Sequence, residues 1–164
     1  MVTKLYFFDG YNILHASDHT KKILNGSLEE AREVLIDNVL NYLGVVGDAM
    51  GVVVFDSPDQ PTYIPEYRTG LEIYYGHTAD SVIERLSRVS DVSTHVVLVS
   101  SDNVLFNAIQ KKNQIVTQLR SEYFWVGSRD IPGNYRSRTN PDNSIAGIVD
   151  RNTYDSLNKL RGVK

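Results

Sequence analysis

Four aspartates in this sequence follow the same kind of run. "KLYFFD", "GVVVFD" and "HVVLVSSD" are short apolar stretches that end in Asp9, Asp56 and Asp102, and Asp80 opens the segment after "LEIYYGHT". Asn12 returns an amide three positions after Asp9. If those runs are neighbouring strands, the four carboxylates meet at one edge. Like charges brought together raise one another's pKa unless a cation neutralises them, and clustered carboxylates with water suit Mg²⁺ or Mn²⁺. Asp9, Asp80 and Asp102 are the expected metal ligands, mostly through water, with Asp56 completing the pocket. Asn12 is expected to orient a water or a phosphate oxygen, with Ser100 and Ser101 as hydrogen-bond donors beside Asp102. A divalent ion held this way can polarise a bound oxygen and activate water for attack.

Each acid also has a plainer local reading. Asp9-Gly10 could form a hairpin turn, Asp56 could start the Ser57-Pro58 turn, Asp80 could complement a helix dipole and Asp102 could cap a helix. The coincidence of three strand-end acids and a fourth at an equivalent edge favours a shared site.

The elements that must position these residues follow from periodicity. Near-continuous apolar runs at 4–9, 51–56 and 95–102 suit strands covered on both faces, with 71–75 and 114–118 as weaker strands. Helical patterns alternate with them. Ser27 and Glu30 form a capping box ahead of a helix expected to end at Gly44. A second helix follows Thr78, and a third runs from Asn103 to the cations Lys111 and Lys112. This order implies an α/β sandwich with a mostly parallel central sheet flanked by helices, whose ligands bind at the carboxyl ends of the strands. Residues 57–70, with three prolines, are expected to be an irregular loop, and 146–160 a short terminal helix.

Composition bounds the rest. The 164 residues fit one domain, and the absence of cysteine excludes disulfides and thiolate chemistry. No apolar stretch approaches the roughly 20 residues of a membrane span, and residues 1–9 read as a core strand instead of a secretory leader, so a cytoplasmic setting is expected. Charge is unevenly spread. Residues 1–119 carry nine Lys and Arg against fifteen Asp and Glu, whereas 120–164 carry eight against five. The basic end could grip a polyanion beside an acidic pocket or be a solvated tail. It interleaves Arg120, Arg129, Arg136 and Arg138 with Tyr123, Phe124, Trp125 and Tyr135, a mixture suited to phosphate contact and base stacking on a single strand. For Phe124 and Trp125, burial tendencies favour the core.

Two phosphate-chemistry folds fail on the residues. A haloacid-dehalogenase-type phosphatase needs a nucleophilic Asp two residues before its second acid, where this chain has Phe7. A phosphoreceiver domain needs a late strand ending in lysine, and none is found.

Taken in order, "FFDGYNILHA", "LEEAREVLIDNVLNYLG", "VVVFDS", "GHTADSVIERL" and "VVLVSSDN" resemble the YacP-like NYN-domain proteins, a branch of the PIN-like nucleases, across about residues 4–125. The resemblance implies a PIN-like three-layer sandwich over 1–127; by composition alone, residues 128–164 are a basic extension expected to pack on or trail the same domain. It also implies a metal-dependent endoribonuclease acting on single-stranded RNA, in some bacterial members on ribosome-bound mRNA. The family's acids map to Asp9, Asp56, Asp80 and Asp102 and its amide to Asn12. Arg68, the lone cation of the 57–70 loop, is the expected RNA-positioning residue there. The competing reading is a non-catalytic RNA- or ribosome-binding module that keeps the fold.

Overall fold

The computed structural model describes residues 3–62 and 64–129, with side chains through residue 126. Six strands form one sheet: β1 (Lys4–Asp9), β2 (Ala49–Asp56), β3 (Glu66–Arg68), β4 (Leu71–Gly76), β5 (His95–Val99) and β6 (Val116–Leu119). Their spatial order is β3-β4-β2-β1-β5-β6. All neighbours are parallel except the β3–β4 pair at one edge.

The strands are apolar throughout because both faces are covered. On one face Phe8, Val53, Phe55 and Ile73 pack with α1 (Gly10–His15), α3 (Leu28–Val46) and α6 (Ser121–Arg129). On the other, Leu5, Phe7, Val52 and Val54 meet α4 (Ala79–Val89) and α5 (Asn103–Ala108). Helix α2 (Asp18–Gly26) joins α1 to α3. This is the expected three-layer sandwich. From β1 the chain builds outward to β2 and β4, then crosses back to β5 and β6 on the other side, so strand order reverses beside β1. At such a reversal the carboxyl ends of the strands open into a crevice.

Local chemistry moves several expected boundaries. Helix α3 passes through Gly44 and stops at Gly47, whose φ of 65° is a backbone turn that glycine makes readily. Its capping box is one-sided. Ser27 Oγ accepts from the Glu30 N–H at 3.2 Å, but the Ser27 N–H is already spent on Ile23 O at the end of α2. Helix α5 ends at Ala108, short of Lys111 and Lys112. Lys111 instead reaches back to the carbonyls of Arg88 and Ser90, satisfying the end of α4. Part of the expected loop is β3, which hydrogen-bonds along β4.

Helices α1, α2 and α6 carry no clear helical signal in the sequence. Thr20 Oγ1 donates to Leu14 O at 2.6 Å, tying α2 to α1. Trp125 Nε1 donates to Ile13 O at 2.6 Å, tying α6 to α1. Phe124 is fully buried against Phe8 and Tyr42. Phe124 and Trp125 are therefore core residues and do not offer faces to bases. The expected terminal helix at 146–160 lies outside the described residues.

Candidate active site

Two strand ends and two helix starts carry the four acids to one edge. Asp9 ends β1 in register with Val54 of β2. Two residues on, Asp56 ends β2 in register with Gly76, the last residue of β4. Asp80 lies in the first turn of α4, just past that β4 end. Asp102 precedes α5, two residues after Ser100 leaves β5. Side chains alternate along a strand, so Asp9 follows Leu5 and Phe7 onto the α4/α5 face, and Asp56 follows Val52 and Val54 onto the same face.

Their charges act on one another. Asp9 is 6% exposed, and its pKa is pushed up to about 7. Burial is the main cause; a hydrogen bond from Ser100 opposes it, and the charges of Asp80, Asp56 and Asp102 add to it. Asp80 is also raised, by burial, by Asp102 and Asp56, and by Glu84 one turn along α4. Among the described residues no lysine or arginine forms an ion pair with any of the four.

Three of the acids give one oxygen to the fold and keep the other open. Asp9 Oδ2 accepts from Ser100 Oγ at 3.0 Å. Asp56 Oδ1 accepts from the Ala79 N–H at 2.7 Å, which fixes the start of α4 and with it Asp80. Asp102 Oδ1 accepts from the N–H groups of Val104 and Leu105, so its helix-capping reading is right as geometry. A cap uses one oxygen and leaves the second available. Capping and ligation are therefore compatible.

Asn12 does something other than expected. Its Oδ1 accepts from the Ser101 N–H at 2.9 Å and from Ser121 Oγ at 2.7 Å. It is a latch between α1, the loop after β5 and the start of α6. Ser100 Oγ in turn accepts from the Asp102 N–H at 3.1 Å while donating to Asp9, so it couples two of the acids. Ser101 Oγ donates to Glu122 at 2.9 Å and accepts from the Ser121 N–H. The network thus holds the 100–102 loop from both sides.

Gly10 has a different role as well. A Cβ there would lie 2.4 Å from Phe55 Cδ1 and 2.9 Å from the Val54 carbonyl oxygen. The residue is required for close approach of α1 to β2, and α1 follows directly on its N-cap Asp9 with no hairpin.

The cations expected to bind substrate separate into three groups. Arg68 pairs in register with Leu71, the first residue of β4, five residues back from the site edge at Gly76. Its guanidinium is held by Glu33 at 2.7 Å and by Glu66 at 3.0 Å. This neutralised residue is not a free RNA-positioning group, because two carboxylates from α3 and β3 claim it. Arg120 lies at the carboxyl end of β6 and is half exposed, with Glu122 3.6 Å away. Arg129 ends α6, while Arg136 and Arg138 lie outside the described residues. Two further acids, Glu84 and Glu122, border the site and were not singled out. The i, i+4 spacing of Asp80 and Glu84 was the available signal for the first.

Oxygen donors with unneutralised charge fit a hard divalent cation. Among the described residues, no three His, Asp or Glu side chains stand close enough to grip an ion directly. The arrangement therefore fits a hydrated ion held partly through water, and not a closed inner cage.

Comparison with known proteins decides the family. The YacP-like NYN domain family matches residues 6–161. The chain belongs to that family. The family match runs past residue 127 and takes in most of the basic C-terminal segment. A curated relative, the uncharacterized protein YacP of Bacillus subtilis (strain 168), is 31% identical over 100 residues, covering 57% of this chain. The chain spans 58% of that relative's length. The crystal structure of Rae1 (YacP) from Bacillus subtilis superimposes with a TM-score of 0.64 at 25% identity, covering 79% of this chain and 75% of Rae1. The crystal structure of a tryptophan-to-leucine point mutant of Rae1 gives a TM-score of 0.62 at 26% identity, covering 78% and 76%. Among the described residues no helix is long and apolar enough to cross a membrane.

Proposed function

We propose that this protein is a metal-dependent endoribonuclease that hydrolyses phosphodiester bonds of single-stranded RNA in the cytoplasm. The observation that carries the reading is the convergence of Asp9, Asp56, Asp80 and Asp102 at the strand-order reversal, mutually repelling and without a cationic partner among the described residues. Structural duty alone gives no reason to gather them, since one acid per helix start suffices for capping.

Asp9, Asp80 and Asp102 would hold Mg²⁺ or Mn²⁺, partly through water. When bound, the cation supplies positive charge that polarises the phosphodiester and activates water. The chain's own residues do the positioning. Asp56 fixes the start of α4 and so the place of Asp80. Ser100 holds Asp9 and the Asp102 backbone together. Asn12 acts through the 100–102 loop and not on the substrate. Arg120, Arg129, Arg136 and Arg138 are proposed to contact phosphates, with mRNA in a ribosome-associated setting as the substrate the family resemblance implies.

A non-catalytic RNA- or ribosome-binding role is the second reading. It is favoured by the lack of three side chains at direct ligation distance among the described residues. Incubating nuclease-free protein with end-labelled single-stranded RNA, with Mg²⁺ or Mn²⁺ and then with EDTA, separates the two. Internal cleavage that needs metal and is lost in Asp80→Asn supports the nuclease. Binding without cleavage under every metal condition would leave the binding module.

A further inference from the structure

A guanidinium at the same sheet edge lacks the partners that silence Arg68. Arg32, in the second turn of α3, is partly exposed and donates from Nε at 3.0 Å and from Nη2 at 2.6 Å to a single acceptor, the Tyr11 hydroxyl. Its guanidinium carbon lies 5.8 Å from the Tyr11 ring centre, 5.4 Å from Phe55 and 5.0 Å from Tyr75. These rings support one another, with Phe55 5.6 Å from Tyr11 and stacked on Tyr75 at 5.8 Å. A phenol and three ring faces hold the cation in place without neutralising it.

The adjacent acid on α3, Glu33, is committed to Arg68 through two 2.7 Å hydrogen bonds. No carboxylate among the described residues pairs with Arg32. Of its five N–H donors, two converge on Tyr11. The other three have no acceptor among the described residues. An arginine with its fork fixed and donors to spare is suited to bidentate phosphate contact.

Its place relative to the acids follows from β2. Phe55, under the guanidinium, and Asp56, in the acid cluster, are consecutive residues whose side chains leave opposite faces of the sheet. Tyr11 likewise lies two residues after Asp9. A strand of nucleic acid crossing the carboxyl edge passes from one group to the other over the end of β2.

We propose that Arg32, fixed on the Tyr11–Phe55–Tyr75 platform, binds a backbone phosphate of the RNA strand next to the one that is cut, a role for which the sequence nominated Arg68. This inference rests on the nuclease reading above. It makes Arg32 a substrate-binding residue with no part in the chemistry.

The test is fluorescence anisotropy with a labelled single-stranded RNA about 12 nucleotides long, in EDTA so that nothing is cut, over a salt series. Arg32→Gln keeps most of the side-chain length and removes the charge. Loss of one phosphate contact should reduce the slope of log Kd against log salt by about 0.7, so binding at 0.1 M salt weakens about five-fold relative to 1 M. Arg32→Lys should keep most of the slope, because the charge remains. In steady-state cleavage with metal, Arg32→Gln should raise KM with kcat nearly unchanged. An unchanged slope in Arg32→Gln overturns the proposal. Equal loss in the Gln and Lys variants also overturns it, since the platform's packing and not the charge would then matter. If the wild type neither binds nor cuts the RNA, the nuclease reading itself falls.

Discussion

Replacing Asp9 by Asn should make the metal-free protein more stable at pH 8 while abolishing metal-dependent cleavage. The folded state holds the Asp9 pKa at about 7 against an ordinary value of 3.8, chiefly through burial. Between those values the native protein keeps a proton that the unfolded chain has released. Stability therefore falls as pH rises from about 4 to 7 and levels off above the folded value. The difference of about 3 pH units corresponds to about 4 kcal/mol at pH 8. Asn is neutral and can still accept from Ser100, at a loss of about 1 kcal/mol for the weaker hydrogen bond. The net gain is about 3 kcal/mol at pH 8, roughly 6–12 °C in Tm for a chain of this size. By about pH 5 the wild type has lost only about 1–2 kcal/mol, close to the ~1 kcal/mol that Asn loses in its hydrogen bond, so the two proteins should melt close together. Circular dichroism melts in EDTA at about pH 5, 6, 7 and 8 measure the Tm difference directly. A difference that stays flat over this range would refute the placement of Asp9 in a buried, repelling cluster. Full cleavage by the Asn variant would separately remove Asp9 from the chemistry.

Asn12→Ala should lower stability by about 2 kcal/mol, since it orphans the Ser101 N–H and the Ser121 hydroxyl, and should slow cleavage by loosening the 100–102 loop. An unchanged denaturant midpoint would show that the latch is not formed. Gly10→Ala places a methyl against the Phe55 ring and should cost about 1–3 kcal/mol by overpacking, read from the same denaturant curves. Mg²⁺ or Mn²⁺ should raise Tm at about pH 8 by mass action on the native state, and Asp80→Asn should blunt the shift. An equal shift in that variant would take Asp80 out of the ion's surroundings.

The strands and the acids were legible because they obey local rules. A run such as "GVVVFD" can satisfy its backbone and bury both faces in few ways, and its terminal carboxylate must emerge at the open edge. Helices α1 and α2 were not legible, because six- and nine-residue helices have little stability of their own and owe theirs to distant partners such as Trp125. Phe124 and Trp125 show the same limit from the other side. Beside arginines they also fit a base-stacking surface; burial tendency already favoured the core, and docking of α6 on α1 and α3 places them there. The end of α3 shifted from Gly44 to Gly47 because a mid-helix glycine costs only about 1 kcal/mol, which core packing of Val39 and Leu43 offsets.

The roles of the polar residues show why a motif locates a site more reliably than it assigns duties. Asn12 and Asp9 sit three residues apart and invite a shared task, yet the amide spends its oxygen on residues 89 and 109 positions away. Arg68 and Arg32 are equal in charge on paper. Arg68 is neutralised by Glu33, 35 residues distant, and that same commitment leaves Arg32 without an acid among the described residues although Glu33 is its immediate neighbour in the chain. Availability for substrate is fixed by how nonlocal partners distribute the counter-charges. Among the described residues at this sheet edge, the acids are left without cationic partners on one face of β2 and a guanidinium without an acid on the other, an arrangement complementary to a cation and a phosphate strand held side by side.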